Sequence, residues 1–136
     1  MPTQYLIIIS ILGWGVGSIF YKIANTTVHP IMVSSIATAT YIVLTSIVFL
    51  TANFDKTVNT IGVLAIIAGS VLMGLGSLAY YYSLRNGNAG EITTITALYP
   101  VVTLILSCLF MGEEMSYRKA IGILLACASF YFLSWK

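Results

Sequence analysis

The chain has 136 residues, of which 59% are hydrophobic and only 7% are charged. A soluble domain carries about 25% charged residues, so the composition excludes a water-soluble fold and indicates an integral membrane protein. The formal net charge of +2 comes from six Lys and Arg against four Asp and Glu. These cations form no basic cluster, which argues against nucleic acid as a partner.

Five long apolar stretches predict five membrane-spanning helices, because about 20 apolar residues cross a hydrocarbon core of about 30 Å. We interpret the first stretch as a retained helix rather than a cleaved signal peptide, since no basic segment precedes it. Pro30 suits the first turn of the second helix, Gly112 can end the fourth, and Ser116 can cap the fifth. The predicted helices cover residues 3–24, 30–51, 58–84, 91–111 and 116–135.

These helices and their short loops occupy residues 1–136 as one all-α integral membrane domain, with no soluble domain. A transmembrane barrel is the weaker alternative, because its strands alternate polar and apolar residues over about ten positions. The two cysteines lie inside apolar runs and His29 is the only histidine. We therefore expect no metal site, no cofactor and no enzyme activity, since none of the usual catalytic arrangements is present.

Helix 4 carries a polar stripe that could line a substrate cavity. Pro100 removes the hydrogen bond to the Thr96 carbonyl, and a freed carbonyl is tolerated in a membrane only where it is buried in protein or faces water. Ordinary helix packing through hydroxyl side chains is the alternative interpretation. The stripe comprises Thr93, Thr96, Pro100, Thr103 and Ser107, with Tyr99 beside it.

Helix 1 supplies the other cavity candidates. Trp14, Gly17 and Tyr21 share one face, and alternating glycines here favour bending or close approach. Lys22, near the end of this helix, either reaches the membrane interface or attracts an anionic group of a solute. Glu91 opens helix 4, where a carboxylate suits the positive helix end; its alternative role is a proton-coupling or cation-coupling site.

The basic residues divide evenly between the two sides of the membrane. Five crossings place Lys56, Arg118 and Lys119 on one side and Lys22, Arg85 and Lys136 on the other. Orientation normally follows an excess of Lys and Arg in cytoplasmic loops. Without an excess, both orientations are expected, and two opposed copies can pair as an antiparallel homodimer. The alternative is a fixed orientation set by the first helix or by a different partner chain.

Several motifs resemble the EamA-type domain of the drug/metabolite transporter superfamily. They are the Tyr-rich end of helix 3 that runs into Ser83-Leu84-Arg85, Pro100 within helix 4, Gly112-Glu113 and Gly122, and Trp14-Gly15 in helix 1. Most members of that family are similar to two such domains fused in inverted orientation. The resemblance therefore implies one repeat of an inverted pair, and a substrate cavity between two repeats that is lined mainly by helices 1, 3 and 4.

Together these features predict a transporter that moves a small metabolite or drug-like solute by alternating access, in the lipid bilayer of the inner (plasma) membrane. The alternatives are a half-size subunit that needs a different partner chain, and an exporter of the small multidrug resistance type. The second fits poorly, because helix 1 has no carboxylate. We expect uniport or exchange rather than proton coupling, since no ionisable residue lies near a midplane.

Overall fold

The computed structural model describes residues 3–134, and these residues form helices with no strand. The helices of the described residues are α1 (Thr3–Thr27), α2 (Pro30–Thr51), α3 (Thr60–Asn86), α4 (Ala89–Thr96), α5 (Tyr99–Phe110) and α6 (Tyr117–Ser134). The helices α1–α3 form one compact unit, called unit 1 below, and α4–α6 form a second, called unit 2.

Four helical segments are long and apolar enough to cross a membrane: α1, α2, α3 and the stretch Ala89–Phe110, which contains α4 and α5. Their large apolar side chains are mostly exposed, with Leu50 at 81% and Ile61 at 82%. Apolar side chains on this scale suit a lipid environment rather than water. The predicted all-α membrane fold is confirmed. The 18-residue α6 begins with Tyr117-Arg118-Lys119 and lies outside these four segments.

In unit 1, α1 and α3 run in the same direction, and α2, which connects them along the chain, runs in the opposite direction. The contacts that establish this join Ser18 to Tyr80, Tyr21 to Tyr81 and Lys22 to Leu84. The residue numbers rise together along both helices, so the helices are parallel. Parallel first and third helices are what three successive crossings of a membrane require.

The first helix continues beyond its predicted end at residue 24. The polar segment that was predicted to form a turn belongs to α1, because its side chains bond back to carbonyls of the preceding turn. Asn25 Nδ2 donates to the Tyr21 carbonyl over 2.8 Å, and Thr26 Oγ1 donates to the Ile23 carbonyl over 2.6 Å. Pro30 stands in the first turn of α2, as predicted.

The fourth predicted helix forms one apolar helical stretch long enough to span the membrane, Ala89–Phe110, which is interrupted before Pro100. Backbone ψ angles of 3° at Ala97 and −9° at Leu98 separate α4 from α5. The Leu98 N–H donates to the Ile95 carbonyl over 3.1 Å, which tightens the last turn of α4. Pro100 lacks an N–H and disfavours helical backbone before it, so it stands in the first turn of α5.

The connection between α5 and α6 follows the predicted signals. Gly112 has a φ of 68° just after α5, a conformation that glycine adopts without strain. The Ser116 hydroxyl accepts the Lys119 N–H over 3.3 Å and caps α6. The predicted interfacial end at Trp135 and Lys136 lies outside the described residues.

Candidate functional site

Aromatic side chains of unit 1 gather where α1 and α3 pack, in what we call the tyrosine cluster: Ser18, Tyr21, Tyr41, Tyr80 and Tyr81. The ring centroids of Tyr21 and Tyr81 lie 4.9 Å apart, and those of Tyr80 and Tyr81 lie 5.9 Å apart. The Tyr80 hydroxyl donates to Ser18 Oγ over 3.0 Å. Ser18 in turn donates to the Trp14 carbonyl over 2.7 Å. In this cluster, aromatic rings contact each other and hydroxyls are hydrogen-bonded, on helices that are otherwise apolar.

The second helix adds a hydroxyl to the tyrosine cluster. The Tyr41 phenol of α2 lies near the Tyr21 phenol and interacts with it. Three helices of unit 1 thus meet through side chains that both stack on rings and exchange hydrogen bonds. No Asp or Glu occurs in α1, α2 or α3.

Helical spacing explains why these residues meet. Ser18, Tyr21, Lys22 and Asn25 stand at i, i+3, i+4 and i+7, so they share one face of α1. Tyr21 and Lys22 were predicted as site residues from the sequence, whereas Ser18 and the tyrosines of α2 and α3 were not. That stripe of polar and aromatic residues is the signal that could have identified the packed face.

Lys22 makes a contact that the sequence did not predict. Its Nζ donates to the Leu84 carbonyl over 2.6 Å, and Leu84 is fully buried. This carbonyl belongs to the last turn of α3, where carbonyls lose their helical partners. An ammonium group at that position also interacts favourably with the negative end of the helix dipole. Lys22 therefore caps α3 from a neighbouring helix.

Two other candidates on α1 have few neighbours. The Trp14 side chain is 65% exposed. A Cβ built at Gly17 would meet no atom within 4 Å, and the same holds at Gly13 and Gly15. In the described residues, no other segment packs closely against these glycines, so the predicted close approach is not seen there.

In unit 2, most of the predicted helix 4 candidates line a shallow open groove of about 440 Å³, called the α5 groove below. Thr96 precedes the break and lies on α4, so the predicted stripe is divided between two helices. Tyr99 is half exposed at 50%. The groove is lined by Tyr99, Pro100, Thr103, Leu104, Ser107, Met111 and Glu113.

Glu113 lines the α5 groove and contacts both α5 and α6. The buried Ser107 hydroxyl donates to Glu113 Oε2 over 3.2 Å, and Lys119 Nζ donates to the same oxygen over 3.3 Å. Lys119 also donates to the Glu114 carbonyl over 3.0 Å. Through these contacts Glu113 helps to fix the turn between α5 and α6. Glu91 occupies the first turn of α4, as predicted; its coupling role stays a prediction.

The charged side chains in the loop between α2 and α3 contact residues in or next to that loop. Lys56 Nζ lies 5.0 Å from the ring centroid of Phe49 and 5.7 Å from that of Phe54, within cation–π range. The Thr57 N–H donates to Asp55 over 2.9 Å, and this bond lowers the pKa of the Asp55 carboxyl below its usual value. Within residues 3–134 no group of His, Cys, Asp and Glu is arranged to hold a metal ion.

Comparison with known proteins identifies the chain's relatives. An uncharacterised protein of Methanocaldococcus jannaschii is 33% identical over 122 residues, which cover 89% of this chain and 88% of that protein. An uncharacterised transporter of Archaeoglobus fulgidus is 24% identical over 131 residues, which cover 93% of this chain but 45% of that protein. No solved structure matches the chain significantly. The model of the EamA-like transporter family matches residues 1–135, and the chain therefore belongs to that family.

Proposed function

We propose that this chain moves a small metabolite or drug-like solute across the inner (plasma) membrane by alternating access, as an antiparallel homodimer. The observation that carries the proposal is the tyrosine cluster. It places hydroxyls and aromatic rings inside the apolar helices of a chain from a transporter family. Such groups can replace the hydration of a polar solute without a metal or a buried charge.

The charge distribution supports a particular class of solute and of coupling. The four acidic residues of the chain are Asp55, Glu91, Glu113 and Glu114, and each lies in a loop or in the first turn of a helix. The helices α1–α3 contain no carboxylate that could neutralise a cationic solute inside the membrane. An uncharged or amphipathic solute, carried by uniport or exchange, fits these residues best.

The lengths of the relatives support pairing of two copies. This chain covers 45% of the Archaeoglobus fulgidus transporter, so that protein has room for two such domains. The sequence places three basic residues on each side of a five-crossing chain, a balance that permits both orientations. In the proposed homodimer, the tyrosine clusters of the two copies face a shared cavity between the repeats.

Solute entry into liposomes tests the proposal. Liposomes with the purified protein are offered an isotope-labelled extract of small metabolites, and mass spectrometry identifies the trapped solutes. We expect a small set of solutes to enter faster than into protein-free liposomes. Tyr21→Leu should slow that entry at least about tenfold, or about 1.4 kcal/mol, because a ring and a hydroxyl are lost. The control Tyr117→Leu changes a side chain that is 81% exposed and should have no effect.

Two results would contradict the proposal. If no solute enters faster than into protein-free liposomes, the transport function is wrong. If entry requires a pH gradient and stops in Glu91→Gln, transport occurs but uniport and exchange are wrong, and Glu91 becomes the coupling residue.

A further inference from the structure

Packing in unit 1 is concentrated at one end. The described residues that are buried in α1 and α3 are Ser18, Asn25, Tyr81 and Leu84. In α2 they are Pro30 and Val33, in its first turn. By contrast, residues 3–16 of α1 and 63–77 of α3 are all exposed. The two parallel helices are therefore joined at the end where α1 finishes, and not along their length.

Two hydrogen bonds cross between the helices at that end, and we call them the α1–α3 latch: Lys22 Nζ to the Leu84 carbonyl over 2.6 Å, and Tyr80 Oη to Ser18 Oγ over 3.0 Å. The first is the stronger type, because an ionised donor makes a shorter and stronger bond than a neutral one. Its acceptor is a backbone atom, so α3 offers it whatever side chain occupies residue 84. The latch thus depends chiefly on Lys22.

The segment of α1 that precedes the latch is easily bent. Gly13, Gly15 and Gly17 fall within five residues, and no neighbouring atom would contact a Cβ at any of them. Glycine inside a helix is less favourable than alanine by about 1 kcal/mol, so the helix is weakest here. Bending at these glycines would change the angle between residues 18–27 and residues 3–12.

We infer that Lys22 is a positioning residue whose bond to the Leu84 carbonyl holds this end of α1 and α3 closed. Breaking the bond lets α1 bend at its glycines and admits water to the buried end of unit 1. The inference rests on the proposed alternating access, in which one end of each repeat must close while the other opens. It adds the contact that closes that end and the segment that moves.

Cysteine labelling tests the latch without any solute. Val33 is 5% exposed, lies at the latched end and takes no part in the latch. Val33→Cys is therefore a near-isosteric reporter, placed in the full chain with Cys108→Ala and Cys127→Ala. The protein is held in lipid nanodiscs, where both membrane faces are accessible, and the rate of reaction with a water-soluble maleimide is measured.

We expect slow labelling with Lys22 in place and at least about tenfold faster labelling in Lys22→Met, which keeps the length of the side chain but removes the donor. Lys22→Arg should restore slow labelling, since the guanidinium can still donate to the carbonyl. The matched control is Lys56→Met, which removes a cation that lies over aromatic rings in another loop; its labelling should stay slow. A loss of helix stability alone would not be corrected by Lys22→Arg and spared by Lys56→Met.

Equal labelling rates for Lys22 and Lys22→Met would overturn the inference. If Lys22→Met does not fold, Tyr80→Phe tests the second bond of the latch with the same reporter, and an unchanged rate there would overturn it equally. The outcome is separate from that of the liposome experiment. If solutes enter normally but the labelling rates are equal, only the proposed role of the latch is wrong. If labelling is faster in Lys22→Met but no solute enters, the transport proposal is wrong.

Discussion

The Ser18 hydroxyl connects α1 to α3 at the packed end of unit 1. Ser18 accepts from Tyr80 on α3 and donates to the Trp14 carbonyl within α1, so one buried side chain links a helix to its neighbour and to itself. Buried hydroxyls without partners destabilise a protein by about 1–3 kcal/mol. The pairing of these groups is therefore a condition for placing them inside apolar helices.

Removing the Tyr80 hydroxyl should lower the free energy of unfolding by about 1 kcal/mol, because Ser18 loses its donor. Denaturant titration in detergent micelles measures the change. Tyr117→Phe, at an exposed position, serves as control and should leave the unfolding curve in place. The double variant with Ser18→Ala isolates the shared bond. If the effects of Tyr80→Phe and Ser18→Ala simply add, the two side chains are not coupled and this description of the cluster is wrong.

At the scale of elements, the break between α4 and α5 is the feature that most alters the predicted site. Pro100 stands at the start of α5, and Ala97 and Leu98 form the turn before it. The α5 groove begins at this break, with Tyr99 and Pro100 among its lining residues. Irregular backbone at membrane depth is tolerated where it is buried in protein or lines a water-filled cavity. The break thus suits the cavity-lining role that was predicted for this region.

Pro100→Ala should restore the missing N–H and join α4 to α5 as one helix. We expect amide hydrogen exchange at residues 97–101 to slow by about tenfold or more, because a continuous helix adds hydrogen bonds there. Pro30→Ala is the matched control, since the first residue of a helix has no intrahelical acceptor for its N–H. Unchanged exchange in Pro100→Ala would mean that tertiary packing, and not the proline, holds the break open.

For the whole molecule, the distribution of charge bears on assembly. The contact between Lys22 and the Leu84 carbonyl puts Lys22 and Arg85 at the same end of unit 1, as the alternating crossings of the sequence analysis require. The three-against-three balance of basic residues then remains the basis for expecting two orientations. Two orientations in one membrane are the condition for an antiparallel homodimer of identical chains.

A cysteine added after Lys136, in a cysteine-free background, measures orientation in intact cells. We expect an impermeant maleimide to label roughly half of the molecules from outside, and all of them after permeabilisation. Thr57→Lys with Asn59→Lys is the control, because two added cations on one side should drive the chain into one orientation. All-or-none labelling of the chain without the two added lysines would contradict the homodimer proposal. A half-size subunit with a different partner chain would then fit better.

Particular residues show how far the sequence analysis reached. Gly112 and Ser116 were identified correctly as the end of one helix and the cap of the next, because both act through local backbone geometry. Lys22 was selected as an unusual cation, but its acceptor on α3 was not predicted. A backbone carbonyl 62 residues away carries no signature in a sequence. Tyr81 was identified only as part of the Tyr-rich end of helix 3, and its burial against Tyr21 was not predicted.

The sequence by itself determined that the chain is an all-α membrane protein, where most of its helices lie and which family it resembles. Hydropathy, proline and glycine act over one or two turns of helix, so these properties can be read directly from neighbouring residues. Only the tertiary structure decided which helix faces meet and that packing in unit 1 gathers around Lys22 and the tyrosine cluster. Those outcomes depend on contacts between residues far apart in the sequence. Because the helices are all similarly apolar, hydropathy alone does not select one packing arrangement.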